Sequence, residues 1–362
     1  MSPERRADFL TNLPVPDLYP RQLDLFTPKA LLAKKSGRFD ISEGIGAFNN
    51  PNPTKVLVFD IGGTAVKMGE VTVRQGMVVI EENMVATVQS ENEGTNYLPA
   101  MLRMRDQYPE LPVGVSTAGV VDENGDLEIS PNLHVFTDNL KEMGGFKNIF
   151  GSVSVLNDAS AGLTIGGVKV PQQLLRSNLV HVIFSGGIGG AALNKDGDII
   201  SMEPGHIPVI EELNPYQIDK PCGLYSGWDH VCLERVGAVG AFVEKQWEML
   251  TGNKRSGKEI AELMYSGDSR ALSLFDCSSR ILAHVIAGMT MTLGFDLKDT
   301  TVIVSGGGIK TEGMTDRIKK ILAKHDNTSV DKIALVSTPS MGIDNTCFLG
   351  AAIAGATLSN TN

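Results

Sequence analysis

Three stretches of the 362-residue chain share one design, an apolar run ending in a glycine-rich turn: Asp60-Ile61-Gly62-Gly63-Thr64, Ser185-Gly186-Gly187-Ile188-Gly189-Gly190 and Ser305-Gly306-Gly307-Gly308. Glycine lets backbone N–H groups approach an anion closely and tolerates positive φ. A concave array of such groups holds phosphate without a large net positive charge. The familiar nucleotide motifs are absent. No G-x-x-x-x-G-K-[ST] occurs, and the run at 186–190 lacks G-x-G-x-x-G spacing and leads into a strand pattern rather than a helix. Each turn alone reads as well as a plain hairpin; three in this order carry more weight. Two aspartates sit where strand patterns stop. Asp60 closes Val56-Leu57-Val58-Phe59, and Asp158 follows Val153–Asn157 and opens a helical stretch. Transfer of a phosphoryl group to a hydroxyl needs positioned phosphates, neutralised charge and an acceptor for the hydroxyl proton. A carboxylate suits the last need, although aspartate is also favoured as a helix N-cap and as the first residue of a turn.

The elements that would carry these residues come in two sets. Strand patterns at Val56–Asp60, Ala65–Val73 and Met77–Val88 make a β-β-β opening, followed by a helical pattern at 95–107, strands at Val113–Ser116 and Val153–Asn157, and a helix at Ala159–Gly167. After Pro171 the scheme begins again, with Val180–Phe184, the glycine run, Ala191–Leu193, a turn at 195–198 and Ile199–Ser201. Helical patterns follow at 232–252, 256–266 and 268–296, then the strand Thr301–Val304 and helices at Thr315–Lys324 and Asn345–Thr357. Two strand-rich openings, each followed by helices, predict a duplicated α/β architecture. Residues 1–53 differ, being rich in proline and charge, and Phe48–Pro53 reads as a linker because the residue before each proline disfavours helix. This arm is expected to pack along a domain or a subunit interface, or to be disordered.

Composition narrows the function classes. Hydrophobic residues make up 42% and charged residues 20%, an ordinary globular balance. A net charge of −10 repels the phosphate backbone, and no basic block is present, so nucleic acid is not an expected partner. Four cysteines (Cys222, Cys232, Cys277, Cys347) are too few for a disulfide framework and suit a reducing compartment. The first residues lack the apolar stretch of a signal peptide, and no apolar run is long enough to span a membrane. The expected location is cytoplasmic.

The order of these motifs resembles the actin-like sugar kinase and Hsp70 superfamily, and more closely the ROK family of bacterial sugar kinases, over roughly residues 55–356. The resemblance implies a duplicated actin-like ATPase (ribonuclease H-like) α/β fold with two domains around a central cleft. The domains would be 54–168 with about 340–362, and 169–339, since the tail Gly350-Ala351-Ala352 is similar to the family's closing helix, which returns to the first domain. It further implies ATP and Mg²⁺. Gly62, Gly63 and Thr64, with Lys67 beyond them, would face the γ-phosphate. Gly187 and Gly189 would hold the β- and γ-phosphates, although Ser185-Gly186 replaces the usual Gly-Thr pair, and Gly306, Gly307 and Gly308 would lie against adenosine. Asp60 would hold Mg²⁺, through water. Asn157-Asp158-Ala159 resembles the family's catalytic motif, with Asp158 as the base, and Asn132, Asn157, Glu203, His206 and Glu234 match sugar-contacting positions. Ser116-Thr117-Ala118-Gly119 stands where many glucokinases of the family carry Pro-Gly.

The departure is largest at zinc. The family typically offers Cys-x-Cys-Gly-x-x-Gly-Cys and a histidine; here His206, Cys222 and Cys232 remain, one short of a closed four-ligand site, with Asp219 or Asp229 as candidates for the fourth. Structural zinc is therefore not expected. Glucose or a related hexose is the expected acceptor, with N-acetylmannosamine or N-acetylglucosamine as the alternative, and ATP the expected donor with polyphosphate left open. A sugar-responsive transcription regulator of the same family is the second class; such regulators need an N-terminal helix-turn-helix, and the proline-interrupted arm does not resemble one. Homodimerisation is implied by the resemblance alone.

Overall fold

Val56, Leu57, Val58 and Phe59 are all fully buried, the mark of a strand covered on both faces. They form the centre of β1 (Thr54–Ile61). The computed structural model describes residues 34–35, 41–89, 96–130, 133–194, 196–209, 214, 216–218, 221–222 and 230–360. The chain folds into two compact units, one comprising Ala33–Val170, Ala191–Met202 and Ile343–Asn362, the other including Pro171–Gly190 and Glu203–Gly342.

In the first unit, β1 pairs antiparallel with β2 (Ala65–Arg74), which pairs antiparallel with β3 (Met77–Gln89). On its other side β1 runs parallel to β4 (Val113–Thr117), and β4 parallel to β5 (Val153–Asn157), giving the order β3-β2-β1-β4-β5. One face is covered by α2 (Leu98–Gln107), α3 (His134–Glu142) and α4 (Gly145–Phe150). Phe59 stacks on Phe150 at 5.2 Å, and Phe136 and Phe146 extend the cluster. Full burial of each such ring is worth about 1.5–3 kcal/mol. The sequence reading placed no element between 119 and 153; the short hairpin Val120–Val121/Leu127–Ile129 and these two helices fill that gap. The arm supplies a helix as well. α1 (Ile41–Asn49) buries Ala47 and Phe48, so the linker shrinks to 50–53, because Pro51 and Pro53 restrict only the residues just before them.

The opposite face carries α5 (Asp158–Lys169) and the C-terminal helix Thr346–Thr357, which packs on β1, β4 and α5. Its approach depends on missing side chains: a Cβ on Gly350 would overlap the Ala161 carbonyl, and one on Gly114 would overlap that of Ala351.

In the second unit, β6 (Asn178–Phe184) pairs parallel with β8 (Thr300–Ser305), and β8 parallel with β9 (Leu335–Ser337), while β7 (Ile188–Leu193) neighbours β6 on its other side. Helices α8 (Gly257–Tyr265), α9 (Ser269–Thr292) and α10 (Met314–His325) pack in sequence. The helix expected at 232–252 is broken: α6 (Leu233–Gly237) stops at an extended Ala238, a wider π-type turn spans Val239–Glu244, and α7 (Lys245–Thr251) follows. The break lets the Val239 and Gly240 N–H groups bond to the Ser185 carbonyl. Here a tertiary hydrogen bond outweighs helical propensity.

Alanine at an open helical glycine gains roughly 1 kcal/mol. At Gly350 the sign reverses: Gly350→Ala is expected to cost about 2 kcal/mol or more through the clash. Urea denaturation checks this, and an unchanged or raised midpoint would refute the close crossing.

Candidate active site

Parallel strands bring their carboxyl ends to one edge of a sheet, and the loops leaving that edge are where α/β folds hold ligands. In the first unit that edge aligns the residues singled out by type. Asp60 pairs with Lys67 on β2 and with Ser116 on β4, and Thr117 pairs with Asn157, the last residue of β5. Asp158 follows as the first residue of α5. The Gly62 N–H bonds to the Ala65 carbonyl at 2.9 Å, closing the turn that leaves Gly63 and Thr64 exposed.

The helix cap falls to Asn157 rather than to Asp158. Asn157 is 1% exposed; its Oδ1 accepts from the Ala159 and Ser160 N–H groups at 2.9 and 3.4 Å, and its Nδ2 donates to the Gly119 carbonyl at 2.8 Å. That amide therefore ties the Ser116–Gly119 loop to the start of α5. Burial pushes Asp158 up to about 7, with the Asp60 charge adding to it and hydrogen bonds from Ala159 and Asn157 opposing it. Burial likewise lifts Asp60 to about 6, against the lowering effects of the Ser116 hydroxyl and Lys67. Two half-buried carboxylates thus lie near enough for the Asp60 charge to raise Asp158, with Lys67 offsetting only part of the Asp60 charge, an arrangement that fits a divalent cation.

Two residues missed by sequence reasoning border this pair. The Lys67 ammonium donates to Asn345 Oδ1, and Asn345 holds a left-handed φ of 55° at the start of the C-terminal helix. Burial, then Asp60 and Asp158, raise the Cys347 thiol well above its usual range. Residues 345 and 347 lie far from residue 67 in sequence, and local pattern gives no signal for the contact.

In the second unit the same strand-end rule operates. Ser305 on β8 pairs with Ile183 on β6, so the two glycine turns leave neighbouring strand ends. Gly306 has φ +95°, and a Cβ there would strike the Phe184 carbonyl; Gly308 packs on the Phe184 ring and Val239, while Gly307 faces open space. Gly187 and Gly189 are half-buried. Glu234 Oε2 accepts from the Ile188 N–H at 3.2 Å. Glu203 precedes the turn Pro204–His206, with Glu203 Oε2 3.9 Å from His206 Nε2. His206 Nδ1 lies 3.3 Å from Cys222 Sγ, and the donor atoms of His206, Cys222 and Cys232 all fall within 4.8 Å of one another. Burial disfavours the charged His206, but Cys222, Glu234 and Glu203 together outweigh it and raise its pKa. Asn132, Asp219 and Asp229 lie outside the described residues. Among the described residues no helix is long and apolar enough to cross a membrane.

The two glycine-lined sheets define a protein with the actin-like ATPase fold, shared with solved ROK sugar kinases. The ROK family profile matches residues 56–356, and the chain belongs to that family. An N-acetylmannosamine kinase from Vibrio vulnificus (strain CMCP6) is 25% identical over 306 residues, spanning 82% of this chain and 97% of its own. A ROK family glucokinase from Streptomyces griseus, solved with glucose and AMPPNP, superposes with a TM-score of 0.58 at 21% identity, covering 83% of this chain and 98% of that one. A ROK family transcriptional regulator, a homologue of the E. coli MLC protein, superposes at 0.57 with 16% identity, covering 84% and 80%.

The raised carboxylates have a consequence for stability. Folded Asp158 binds its proton more tightly than the unfolded residue, so between about pH 4 and 7 the folded state carries more protons and stability falls as pH rises. Asp158→Asn is expected to melt higher than the parent at pH 8, with the gain fading as pH falls toward 4. Thermal melts across that range measure it, and a pH-independent difference would contradict the burial assigned to Asp158.

Proposed function

We propose that the chain is an ATP-dependent sugar kinase whose acceptor is an N-acetylated hexosamine, N-acetylmannosamine foremost. The observation that carries the kinase reading is the Asp60–Asp158 pair, at the carboxyl ends of β1 and β5 on either side of β4, with the Asp60 charge raising Asp158. Support for the acceptor comes from the N-acetylmannosamine kinase relative and from Ser116–Gly119, which lacks the Pro-Gly of many glucokinases. The hexose expected from sequence becomes the competing acceptor.

In this reading Asp158 takes the proton of one sugar hydroxyl as that oxygen bonds to the γ-phosphorus and the bond to the β-phosphate oxygen breaks, releasing ADP. A base titrating near neutrality is well matched to that task. Mg²⁺ bound with the nucleotide would neutralise phosphate charge, and Asp60 would hold it through water. Gly62–Thr64 with Lys67, and Gly187 with Gly189, would serve the phosphates, and Gly306–Gly308 adenosine. Asn132, Asn157, Glu203, His206 and Glu234 would serve the sugar.

Zinc returns as a proposal. A nitrogen and a sulfur bound tetrahedrally to one Zn²⁺ lie roughly 3.6 Å apart, and the 3.3 Å His206–Cys222 separation, with Cys232 close by, fits that spacing. Those three side chains would hold the ion and brace the Glu203–His206 turn, with a fourth ligand from outside the described residues. Metal analysis of protein purified without added metal is expected to give one zinc per chain, lost in Cys222→Ser; a metal-free, fully active parent would return the site to the original expectation.

A coupled assay with ATP and a panel of N-acetylmannosamine, N-acetylglucosamine and glucose tests the function. The highest kcat/KM is expected on N-acetylmannosamine; a preference for glucose would replace the acceptor and keep the kinase. Asp158→Asn should bind sugar normally and lose at least about 10²-fold in kcat. Sugar binding by the parent without turnover on any acceptor would favour a sensor and end the kinase proposal.

A further inference from the structure

Glu234 was singled out from sequence as a sugar contact, yet its carboxylate is also seated on the second glycine turn. One oxygen, Oε2, accepts the Ile188 N–H at 3.2 Å. The same oxygen lies where a Cβ of residue 187 would project, so the absent side chain of Gly187 is what admits the carboxylate. From behind, the segment following Glu234 grips the turn's carbonyls. Ser185 O accepts from Val239 N at 2.9 Å and Gly240 N at 3.3 Å, and Gly186 O accepts from Ala241 N at 3.2 Å. Gly240 has no side chain where one would press on Gly186 Cα. The Ser185 N–H is taken by the Gly187 carbonyl at 3.0 Å, closing the loop on itself.

We infer that Glu234 is a positioning residue of the phosphate turn, holding Gly186–Gly190 in its anion-binding shape through the Ile188 N–H whether or not sugar is present. This rests on the kinase reading, in which that turn holds the β- and γ-phosphates. A turn preset by the protein loses less freedom when the nucleotide arrives, and the saving appears as affinity. Two opposing effects of Glu234 on nucleotide must be separated. Its negative charge disfavours phosphate nearby, whereas its hydrogen bond favours the shape that phosphate needs. Sugar contact alone predicts neither effect without sugar.

Three substitutions divide these terms. Glu234→Gln keeps the reach and an acceptor oxygen but removes the charge; Glu234→Asp keeps the charge and shortens the reach; Glu234→Ala removes both. The measurement is the dissociation constant of Mg²⁺–AMPPNP by calorimetry on the full chain, without sugar, beside thermal melts and the KM for sugar. One net hydrogen bond corresponds to roughly a fivefold change in affinity. The Asp and Ala variants are therefore expected to bind the nucleotide roughly fivefold or more weakly, and Gln within about twofold of the parent. Loss of sugar affinity in any variant is compatible with this and does not decide it. Nucleotide binding unchanged or tighter in both Asp and Ala, or as weak in Gln as in Ala, overturns the inference. Should Ala fail to fold, the contrast between Asp and Gln carries the same decision. A parent that phosphorylates sugar while Asp and Ala bind nucleotide normally refutes the positioning role alone. A parent that binds no Mg²⁺–AMPPNP removes the kinase reading and this inference with it.

Discussion

The parallel register of β1, β4 and β5 sets the chemistry of the first unit. It fixes Asp60 beside Ser116 and, one residue further along, Thr117 beside Asn157, with Asp158 next in the chain. Two half-buried carboxylates ionise reluctantly, since burial penalises charge, and the Asp60 charge adds to the penalty at Asp158. The values of about 6 and 7 come from burial first. Lys67, opposite Asp60, relieves only part of the strain, and its ammonium is shared with Asn345. A fold selected for stability alone would place an apolar or neutral residue at one of these strand ends. In the proposed kinase reading, that energetic cost would serve a cation and a proton acceptor.

Close packing behind the sheet supports the same edge. The C-terminal helix lies against β4 and α5 because Gly114, Gly350 and Gly355 present no side chains at the crossing. That depth sets where its first turn emerges, and Cys347 on that turn borders both carboxylates. Core packing and site geometry are thus linked: moving the helix outward would shift Asn345 away from Lys67.

Much of this was legible in sequence, for identifiable reasons. Strand ends followed by Asp or glycine turns stand out because both the apolar run and the turn chemistry are local. Long helices such as Ser269–Thr292 show through periodicity. The failures are non-local. The break at Ala238 follows from hydrogen bonds to Ser185, more than fifty positions earlier, which local propensity cannot register. Helices α3 and α4 are short, and their aromatics Phe136, Phe146 and Phe150 join a shared cluster with Phe59 rather than forming a clear helical stripe. For the site, residue types marked Asp60, Asp158 and the His206–Cys222–Cys232 trio, but the convergence of those three donors is a property of space that counting ligands in sequence does not register. That Asn157 takes the cap, with Asp158 as the first helical residue, also needed coordinates, because either residue type suits the cap.

The ROK fold serves both kinases and regulators, so fold cannot choose between them. The choice rests on what each function requires of the edge residues. A sensor needs groups that exchange hydrogen bonds with sugar hydroxyls, and neutral amides meet that need without electrostatic penalty. It has no use for a buried carboxylate whose pKa a second carboxylate raises. A kinase needs both, one to face a hydrated cation and one to accept a proton near neutral pH. The raised pKa of Asp158 arises from burial first and Asp60 second, so the second aspartate tunes the first. That coupling has a purpose in phosphoryl transfer and none in sugar recognition, and it is the physical ground for preferring the enzyme.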